Sequence, residues 1–315
     1  MKVFVLAPKE NWICDRFVNE WKESHSSQIT ETPEEADIIW LLADWCWNQM
    51  DPRLLYRKKV LASVHHIVPE KFDDKSLHEF KLRDQLIDYY HVPCKKTHDQ
   101  IKNLTQKEIF TMPFWVNQNL WRKTEDKNDL REKFGIDKDV FLIGSFQRDT
   151  EGHDLKSPKL EKGPDLFCDA VINYRNERAN KGKTRVEVLL AGWRRQYVMS
   201  RLDDAKIKYH YHELPDLETI NQFYSMLDLY IVAARYEGGP QAIFECAATE
   251  TPIISTDVGA SSMILSSNSI FEPGSSMHAV PDIKYAKKSV EKYLMPKGFE
   301  EFRRVLSYID EKRKQ

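Results

Sequence analysis

The sequence has no apolar run close to the roughly 20 residues that a membrane-spanning helix needs, so no span is predicted. It has no marked excess of charge either, because 47 basic and 49 acidic side chains leave a formal net charge of −2. A general attraction to nucleic acid is therefore not expected. The first apolar stretch is too short for a signal peptide, and we expect a cytoplasmic protein.

The five cysteines are few, odd in number and far apart. No two of them have the spacing of a metal site or a disulfide framework, so we expect reduced thiols and predict no metal. The sequence also lacks internal repeats and low-complexity segments. What remains is 315 residues of ordinary globular composition, 41% hydrophobic and 30% charged, which is long enough for two domains.

Short apolar runs alternate with helical patterns along the chain. This alternation predicts an α/β fold with parallel sheets covered on both faces, and ligands in such sheets lie beyond the carboxyl ends of the strands. Strands are predicted at residues 2–7, 36–43, 60–64, 109–114, 140–145, 186–191 and 208–212. Helices are predicted at residues 13–22, 78–88, 94–104, 130–135, 165–176, 217–226 and 285–294.

The stretch 229–259 is the most informative part of the chain. An apolar strand at 229–234 is followed by a turn, a helix at 241–249 and a second strand at 252–256. Pro240 suits the first position of that helix, because its missing N–H would have no partner there. The pattern predicts a right-handed βαβ unit.

The turn of this unit combines two chemical properties. Gly238 and Gly239 let backbone N–H groups approach a ligand at a helix start, where an anion such as phosphate is favoured. Glu237 and Glu245 flank the same place, and carboxylates accept hydrogen bonds from hydroxyls. A sugar nucleotide carries both phosphate and hydroxyls. From the local chemistry alone, two solvated surface acids explain the pattern equally well.

The whole frame resembles a known signature. Glu237 and Glu245 stand within Arg-Tyr-Glu-Gly-Gly-Pro at 235–240, followed by Pro-Ile-Ile at 252–254 and Asp-Val-Gly at 257–259. This stretch is similar to the motif of retaining glycosyltransferases of the family-4 type. The resemblance implies the GT-B fold, in which two Rossmann-like domains face each other across a cleft and the C-terminal helix crosses back to the N-terminal domain.

Domain boundaries follow from this resemblance and from composition. The polar segment 123–128 is typical of a linker. We predict an N-terminal, acceptor-side domain at residues 1–118 and a nucleotide-sugar-binding domain at 119–298. A last helix at 299–315 is expected to pack back on the first domain through an apolar stripe. The stripe consists of Phe302, Val305, Leu306 and Ile309.

The resemblance also implies roles for the central stretch. Glu237 would contact the hydroxyls of the transferred sugar and face the reacting centre. Glu245 would bind the ribose hydroxyls. The start of the helix would meet the donor through its backbone; it comprises Gly238, Gly239, Pro240 and Gln241.

Further implied site residues lie elsewhere in the chain. Arg148 and Lys162 match the cations that hold the donor diphosphate and stabilise it as it leaves. His65 matches a histidine that contacts the sugar from the other domain, and it fits better than His66. Trp193 either stacks near the base or is a packed aromatic, and Leu214 lies in the loop whose backbone meets the base.

Three departures from the family pattern stand out. The turn after the first strand, residues 7–12, has no glycine. The loop after Arg148 is longer than usual, so Lys156 or Lys159 is an alternative to Lys162. Glu250 occupies a turn position where glycine is common.

The predicted function is retaining transfer of a sugar from a nucleotide sugar, with UDP or GDP as the expected nucleotide and no obligatory metal. The acceptor would be a hydroxyl of a glycan, a lipid-linked acceptor or another molecule. Two alternatives stay open: a sugar-nucleotide epimerase, and a non-catalytic subunit that binds a nucleotide sugar. A phosphorylase would need a cofactor lysine that is not recognisable in the sequence.

Several other groups allow more than one interpretation. Asn11 is a polar residue expected at a strand end. Trp12, Trp45 and Trp47 form either an acceptor platform or part of the core. The basic segment 53–59 and Arg303-Arg304 fit a solvated face or peripheral contact with an anionic membrane on its inner side. His210 and His212 alternate on one strand, without a third ligand, and are interpreted as structural. Asp216 is expected to cap the helix at 217–226.

Overall fold

The computed structural model describes residues 1–10, 13–183 and 185–312. The chain folds into two compact units, each with its own parallel sheet. Unit 1 contains residues 1–115 and the segment from Met295 onward, and unit 2 is Val116–Leu294. In the part of the chain so described, no helix has both the length and the apolar character needed to cross a bilayer.

Unit 1 is built on a five-stranded parallel sheet whose strands follow one another in chain order. The second strand is buried at all four positions, because a parallel sheet is covered on both faces. The strands are β1 (Val3–Leu6), β2 (Ile38–Leu41), β3 (Lys59–Ser63), β4 (Tyr89–Val92) and β5 (Glu108–Thr111). The helices between them are α1 (Ile13–Ser24), α2 (Pro52–Arg57), α3 (Asp74–Asp84) and α4 (Lys95–Ile101).

Unit 2 is built on a six-stranded parallel sheet and one small antiparallel hairpin. The large sheet has the order β10-β9-β6-β11-β12-β13. In chain order, and with the hairpin strands β7 and β8 included, the strands of unit 2 are β6 (Phe141–Phe146), β7 (Thr150–Glu151), β8 (Ser157–Pro158), β9 (Val186–Ala191), β10 (Tyr209–His212), β11 (Leu229–Val232), β12 (Ile253–Thr256) and β13 (Ile270–Phe271).

The helices of unit 2 cover its sheet, and the last helix of the chain returns to unit 1. In unit 2 they are α5 (Lys127–Lys133), α6 (Pro164–Asn180), α7 (Gln196–Asp204), α8 (Leu217–Met226), α9 (Gln241–Thr249), α10 (Ser261–Ile264) and α11 (Ile283–Val290). The last helix, α12 (Glu300–Glu311), belongs to unit 1. All four residues of its predicted apolar stripe are buried, which confirms that stripe.

An aromatic cluster forms the core of unit 1 where α12 packs on the sheet. The ring of Phe302 stacks on Trp40 and Phe114 at centroid distances of 5.3 Å and 5.6 Å. Trp115 is fully buried beside them, and its indole N–H donates to Glu20 Oε2 at 2.7 Å. The bulk of these rings gives one turn of helix a large apolar contact with unit 1.

Strand β4 is absent from the predicted elements, because His91 interrupts an otherwise apolar run. The structure buries this histidine with both ring nitrogens satisfied. Its Nε2–H donates to the carbonyl oxygen of Met112 at 2.8 Å, and the hydroxyl of Ser63 donates to Nδ1 at 2.9 Å. Burial lowers the pKa of His91 to about 3, so the ring stays neutral in the core.

Helix α3 begins four residues before its predicted start. Asp73 caps it, since its carboxylate accepts from the N–H of Ser76 at 2.9 Å. The predicted end at residue 88 was also wrong. Ile87 and Asp88 are instead buried at the entry to β4, where the Asp88 carboxylate accepts from the N–H of Val60 at 2.8 Å.

The predicted βαβ unit at 229–256 is confirmed as β11, α9 and β12. The two strands are neighbours in the sheet, with Tyr230 opposite Ile253. Pro240 lies one position earlier than predicted, because it is the N-cap and the helix begins at Gln241. The predicted cap of α8 is also confirmed, since Asp216 accepts from the N–H of Thr219 at 2.7 Å.

Glu250 ends α9 in the left-handed conformation with φ of +58°, which explains why glycine suits this position. Its carboxylate accepts from Lys287 Nζ at 2.6 Å. We expect Glu250→Gly to raise the free energy of unfolding in urea by about 0.5–1 kcal/mol, because removing the left-handed strain outweighs an exposed ion pair. Glu250→Ala, which keeps the strain and loses the pair, should be slightly less stable than wild type. Equal stability of the two variants would contradict this explanation.

Candidate functional site

The strand order of unit 2 reverses at one place. Numbered by their order in the chain, the six strands of its large sheet lie across the sheet as 3-2-1-4-5-6, so the order reverses between β6 and β11. In open parallel sheets a crevice forms at such a reversal, outside the carboxyl ends of the two strands, and ligands bind there. Arg148 follows β6 and Glu237 follows β11. In the described part of unit 1, by contrast, the strands of the sheet keep their chain order throughout.

Lys162 and Glu237 meet at this crevice. Lys162 Nζ donates to Glu237 Oε1, although the two residues are 75 positions apart. Both side chains are mostly buried, with exposed fractions of 21% and 15%. The side-chain amide of Gln147 donates to the carbonyl oxygen of Lys162 at 3.0 Å, which ties the lysine to the end of β6. A cation and a carboxylate predicted from separate motifs are therefore in direct contact.

The segment that carries Lys162 lies directly on the end of β11. The N–H groups of Arg235 and Tyr236 donate to the carbonyl oxygen of Glu161 at 2.8 Å and 3.1 Å. Gly163 has φ of +62°, and a Cβ there would lie 1.8 Å from the carbonyl oxygen of Ala233. Only glycine permits this approach. The backbone segment that carries Lys162 is thus fixed against the end of β11.

The turn 237–239 is held from a second side. Gly259 has φ of +53°, and a Cβ there would lie 2.2 Å from the carbonyl oxygen of Gly238. The hydroxyl of Thr256 donates to the carbonyl oxygen of Ala234 at 2.6 Å. The loop after β12 therefore fixes the turn at which Glu237 is placed.

Helix α9 starts directly after this turn. The first N–H groups of a helix lack intrahelical partners and favour an anion. Gln241 and Glu245 are four residues apart and share one face of the helix. Within the described residues, Gln241 Oε1 is shielded from solvent and receives no hydrogen bond. Glu245 is only 6% exposed, and its Oε2 accepts from the hydroxyl of Tyr224 at 2.9 Å.

Arg148 lies beside Trp193, which follows the neighbouring strand β9. The guanidinium carbon of Arg148 is 5.0 Å from the indole centroid, and that of Arg194 is 4.5 Å away. Trp193 is 42% exposed. The Nε of Arg148 donates to the carbonyl oxygen of Thr150 at 3.2 Å. Two cations and an exposed aromatic face are thus gathered at the carboxyl ends of β6 and β9.

A fully buried ion pair supports this group and was missed in the sequence. Arg195 Nε donates to Asp149 Oδ2, and its Nη1 donates to the carbonyl oxygens of Ser145 and Ala191. Neither Arg195 nor Asp149 is exposed to solvent. The pair joins the ends of β6 and β9 to the loop after Arg148. Its only sequence signal was a charged residue three or four positions after each strand.

The three lysines of the long loop are in different places. Lys162 contacts Glu237, whereas Lys159 Nζ is 3.7 Å from Glu161 Oε1. Lys156 precedes β8 in the hairpin, at an exposed position. The hairpin explains why the loop is longer than the family pattern. The contact made by Lys162 reaches a residue of the central motif.

Leu214 lies after β10, 60% exposed and with φ of +47°. A left-handed leucine is unusual and is a form of backbone strain that clusters at ligand-binding loops. His210, on β10, donates its Nε2–H to Glu187 Oε2 at 2.7 Å. Among the residues that the structure describes, no three metal-ligating side chains lie together.

His65 lies in unit 1, just after β3. Its Nε2 donates to the carbonyl oxygen of Leu42 at 2.9 Å, and its ring is centred 5.5 Å from Phe114 and 5.6 Å from Trp45. Trp45 is 47% exposed, whereas Trp47 packs partly against the core. The predicted positions Asn11 and Trp12 lie outside the described residues.

A buried acid, Asp44, lies near His65. Asp44 pairs with Arg83 at the carboxyl end of β2. Burial raises the pKa of the Asp44 carboxyl, and the neighbouring Arg83 and His65 oppose that rise. This end of unit 1 therefore presents polar and aromatic groups together.

Comparison with known proteins gives matches in sequence and in fold. Residues 155–283 match the family described as "Glycosyl transferases group 1". The lipopolysaccharide core biosynthesis mannosyltransferase LpsB of Rhizobium meliloti is 26% identical over 151 residues. That match covers 46% of this chain and 39% of LpsB, so it spans well under half of the relative's length.

Solved structures of similar fold cover nearly the whole chain. The Anabaena protein Alr3699/HepE in complex with UDP has a TM-score of 0.78 at 12% identity, over 98% of this chain and 100% of HepE. Its complex with UDP-glucose has a TM-score of 0.77, also at 12% identity, over 97% of this chain and 99% of HepE. Sucrose-phosphate synthase from Thermosynechococcus elongatus has a TM-score of 0.67 at 15% identity, over 96% and 79% of the two chains.

These matches confirm the predicted α/β fold with two Rossmann-like units. They also confirm the resemblance that was based on the stretch 229–259, since the matched residues 155–283 include it. In residues 155–283 the chain is similar to group 1 glycosyltransferases, and as a whole it has the fold of GT-B glycosyltransferases.

Proposed function

We propose that the protein is a retaining glycosyltransferase that uses a nucleotide sugar as its donor. One observation carries this proposal: Lys162 and Glu237 are in contact at the crevice between β6 and β11, where the helix start of α9 also lies. A cation and a helix start suit a diphosphate, and the carboxylates Glu237 and Glu245 suit hydroxyls. The HepE complexes, with UDP and with UDP-glucose, support a donor of this class.

In the proposed reaction the bond between C1 of the sugar and the phosphate oxygen breaks, and a bond between C1 and the acceptor oxygen forms on the same face. The acceptor hydroxyl gives its proton to the departing phosphate oxygen, so the products are the glycoside and a nucleoside diphosphate. Lys162 and Arg148 offset the charge that builds on the leaving diphosphate. Glu237 orients the sugar through its hydroxyls.

The remaining parts of the proposal concern the acceptor. His65 contacts the sugar from unit 1, and Trp45 offers an exposed ring on which an acceptor sugar stacks. A glycan or lipid-linked hydroxyl fits the name of the relative LpsB, a mannosyltransferase of lipopolysaccharide core biosynthesis. The protein acts in the cytoplasm, with peripheral contact to the inner membrane face if the acceptor is lipid-linked.

The proposal is tested by a thermal-shift screen against UDP- and GDP-sugars, followed by turnover with glycan and lipid-linked acceptors. Proton NMR of the product's anomeric signal should show the configuration of the donor, and an inverted linkage would overturn retention. Donor incubated without acceptor should give no new sugar nucleotide, whereas an epimerase would form one. Tight donor binding without any turnover would support the non-catalytic subunit.

We expect Glu237→Gln to lower kcat at least tenfold, because a neutral amide is a weaker acceptor for sugar hydroxyls than a carboxylate; loss of a charged hydrogen bond is worth about 1.5–3 kcal/mol. Steady-state transfer assays measure the change. Glu177→Gln is a matched control, since Glu177 also pairs with a lysine, Lys181, but on the exposed surface of α6. Equal activity of the two variants would contradict the role of Glu237.

A further inference from the structure

The carboxylate of Glu245 has a partner that no motif contains. Tyr224, on α8, donates its hydroxyl hydrogen to Glu245 Oε2 at 2.9 Å. Tyr224 is 2% exposed and Glu245 is 6% exposed. A hydrogen bond between two buried groups is well ordered, because water does not compete for either partner.

The ring of Tyr224 is held by aromatic neighbours. Its centroid lies 5.0 Å from Phe146, 5.4 Å from Tyr230 and 5.9 Å from Trp121. A ring fixed on several sides places its hydroxyl at one position relative to α9. Tyr224 therefore fixes the direction of the Glu245 carboxylate, whose helix also begins at the turn containing Glu237.

The chemistry of the pair sets its direction. Burial raises the pKa of the Tyr224 phenol well above its ordinary value, and the charge of Glu245 raises it further. The phenol therefore keeps its hydrogen and acts as a donor. A carboxylate has about four acceptor positions, and the hydrogen bond from Tyr224 occupies one of them. Two hydroxyls on neighbouring carbons are found on ribose.

We propose that Tyr224 is a positioning residue that holds Glu245 in the orientation needed to accept from the ribose hydroxyls of the donor. The pair thereby selects ribonucleotide donors over deoxyribonucleotide donors. This inference rests on the proposed function, since it assigns Glu245 to the ribose of a nucleotide sugar. It assigns a specificity role to a residue that touches no substrate itself.

The test combines a change in the protein with a change in the ligand. Wild type and Tyr224→Phe are titrated calorimetrically with UDP, GDP and their 2′-deoxy and 3′-deoxy forms. We expect Tyr224→Phe to weaken binding of the ribonucleotide about tenfold, as for the loss of a hydrogen bond to a charged group. Binding of each deoxy form should change less, by about threefold, because one of the two hydroxyls that the carboxylate would align is already missing. In turnover the loss should appear in the donor KM more than in kcat.

Two further variants separate positioning from packing. Tyr90→Phe is the matched control, because the Tyr90 hydroxyl donates to Asp84 Oδ1 at 3.0 Å in unit 1 and should leave all affinities unchanged. Glu245→Gln should weaken the same discrimination between ribonucleotides and deoxyribonucleotides, and adding Tyr224→Phe to it should change that discrimination little. The single variant Glu245→Gln keeps the test decisive if Tyr224→Phe folds poorly.

The possible failures are distinguishable. If Tyr224→Phe weakens ribo and deoxy forms equally, or changes neither, the inference is overturned while the proposed function stands. Nucleotide binding with the expected discrimination but without any sugar transfer would support the inference and overturn the proposed enzyme. Absence of nucleotide binding by the wild type would overturn both.

Discussion

Lys162→Met is expected to lower kcat/KM for sugar transfer by roughly 10²–10³-fold, the range seen when one group that stabilises developing negative charge is removed. Lys162 is the loop lysine that contacts Glu237, and its carbonyl is tied to the end of β6 through Gln147. Methionine keeps the length and apolar stem of lysine but removes the cation. The loss should fall largely on kcat, because the leaving diphosphate gains charge mainly in the transition state. Steady-state kinetics with the donor found in the screen measure both parameters.

The same loop provides the controls for this prediction. Lys156→Met should keep activity within about threefold of wild type, since a solvated lysine contributes little. Lys159→Met removes the partner of the buried Glu161, so its stability is measured beside its activity, and it should still transfer sugar far better than Lys162→Met. Lys181→Met removes another Glu–Lys pair, on α6, and should also be active. If Lys159→Met or Lys156→Met abolishes transfer while Lys162→Met does not, the diphosphate lysine has been misassigned.

Local features of the chain could be predicted from its sequence with good boundaries. The strand Val186–Ala191 and the helices Leu217–Met226 and Gln241–Thr249 have the predicted limits, because apolar periodicity and capping residues act over short distances. The contact of Lys162 with Glu237 joins two motifs that lie 75 positions apart in the sequence. Strand β4 was missed, because only its tertiary partners show why His91 belongs in a core.

The residues that support the site could not be predicted from the sequence in the same way. Tyr224 is 21 residues from Glu245, and Arg195 is 46 residues from Asp149. Nothing local distinguishes such a tyrosine from a core aromatic, or such an arginine from a solvated one. Their roles depend on strand order, which brings the ends of β6, β9 and β11 together. Strand order is set by packing over the whole sheet and is not written in any single motif.

Gly163→Ala is expected to lower the free energy of unfolding of unit 2 by about 3 kcal/mol, the sum of left-handed strain and overpacking against backbone. The new Cβ would lie 1.8 Å from the carbonyl oxygen of Ala233 and 2.6 Å from its carbonyl carbon. A strand end does not rotate away as a side chain does, so the segment carrying Lys162 must move off β11. We expect transfer to fall about 10²-fold even in the folded protein, because a displacement near 1 Å has such an effect on positioned groups. Urea unfolding and transfer kinetics measure the two effects.

Gly135→Ala separates the clash from the backbone strain. Gly135 has φ of +65°, almost equal to the +62° of Gly163, but among the described residues no heavy atom beyond its own chain neighbours lies within 4 Å of the place that an added Cβ would take. Its substitution should cost only about 1 kcal/mol, the strain of a left-handed alanine, and should leave kcat/KM unchanged. The differences between the two variants in free energy of unfolding and in transfer rate then measure how much the close contact of the Lys162 segment with β11 contributes. If Gly163→Ala resembles Gly135→Ala in both stability and transfer, the close contact neither stabilises unit 2 nor positions Lys162. That result would contradict the assignment of the donor site to the crevice between β6 and β11.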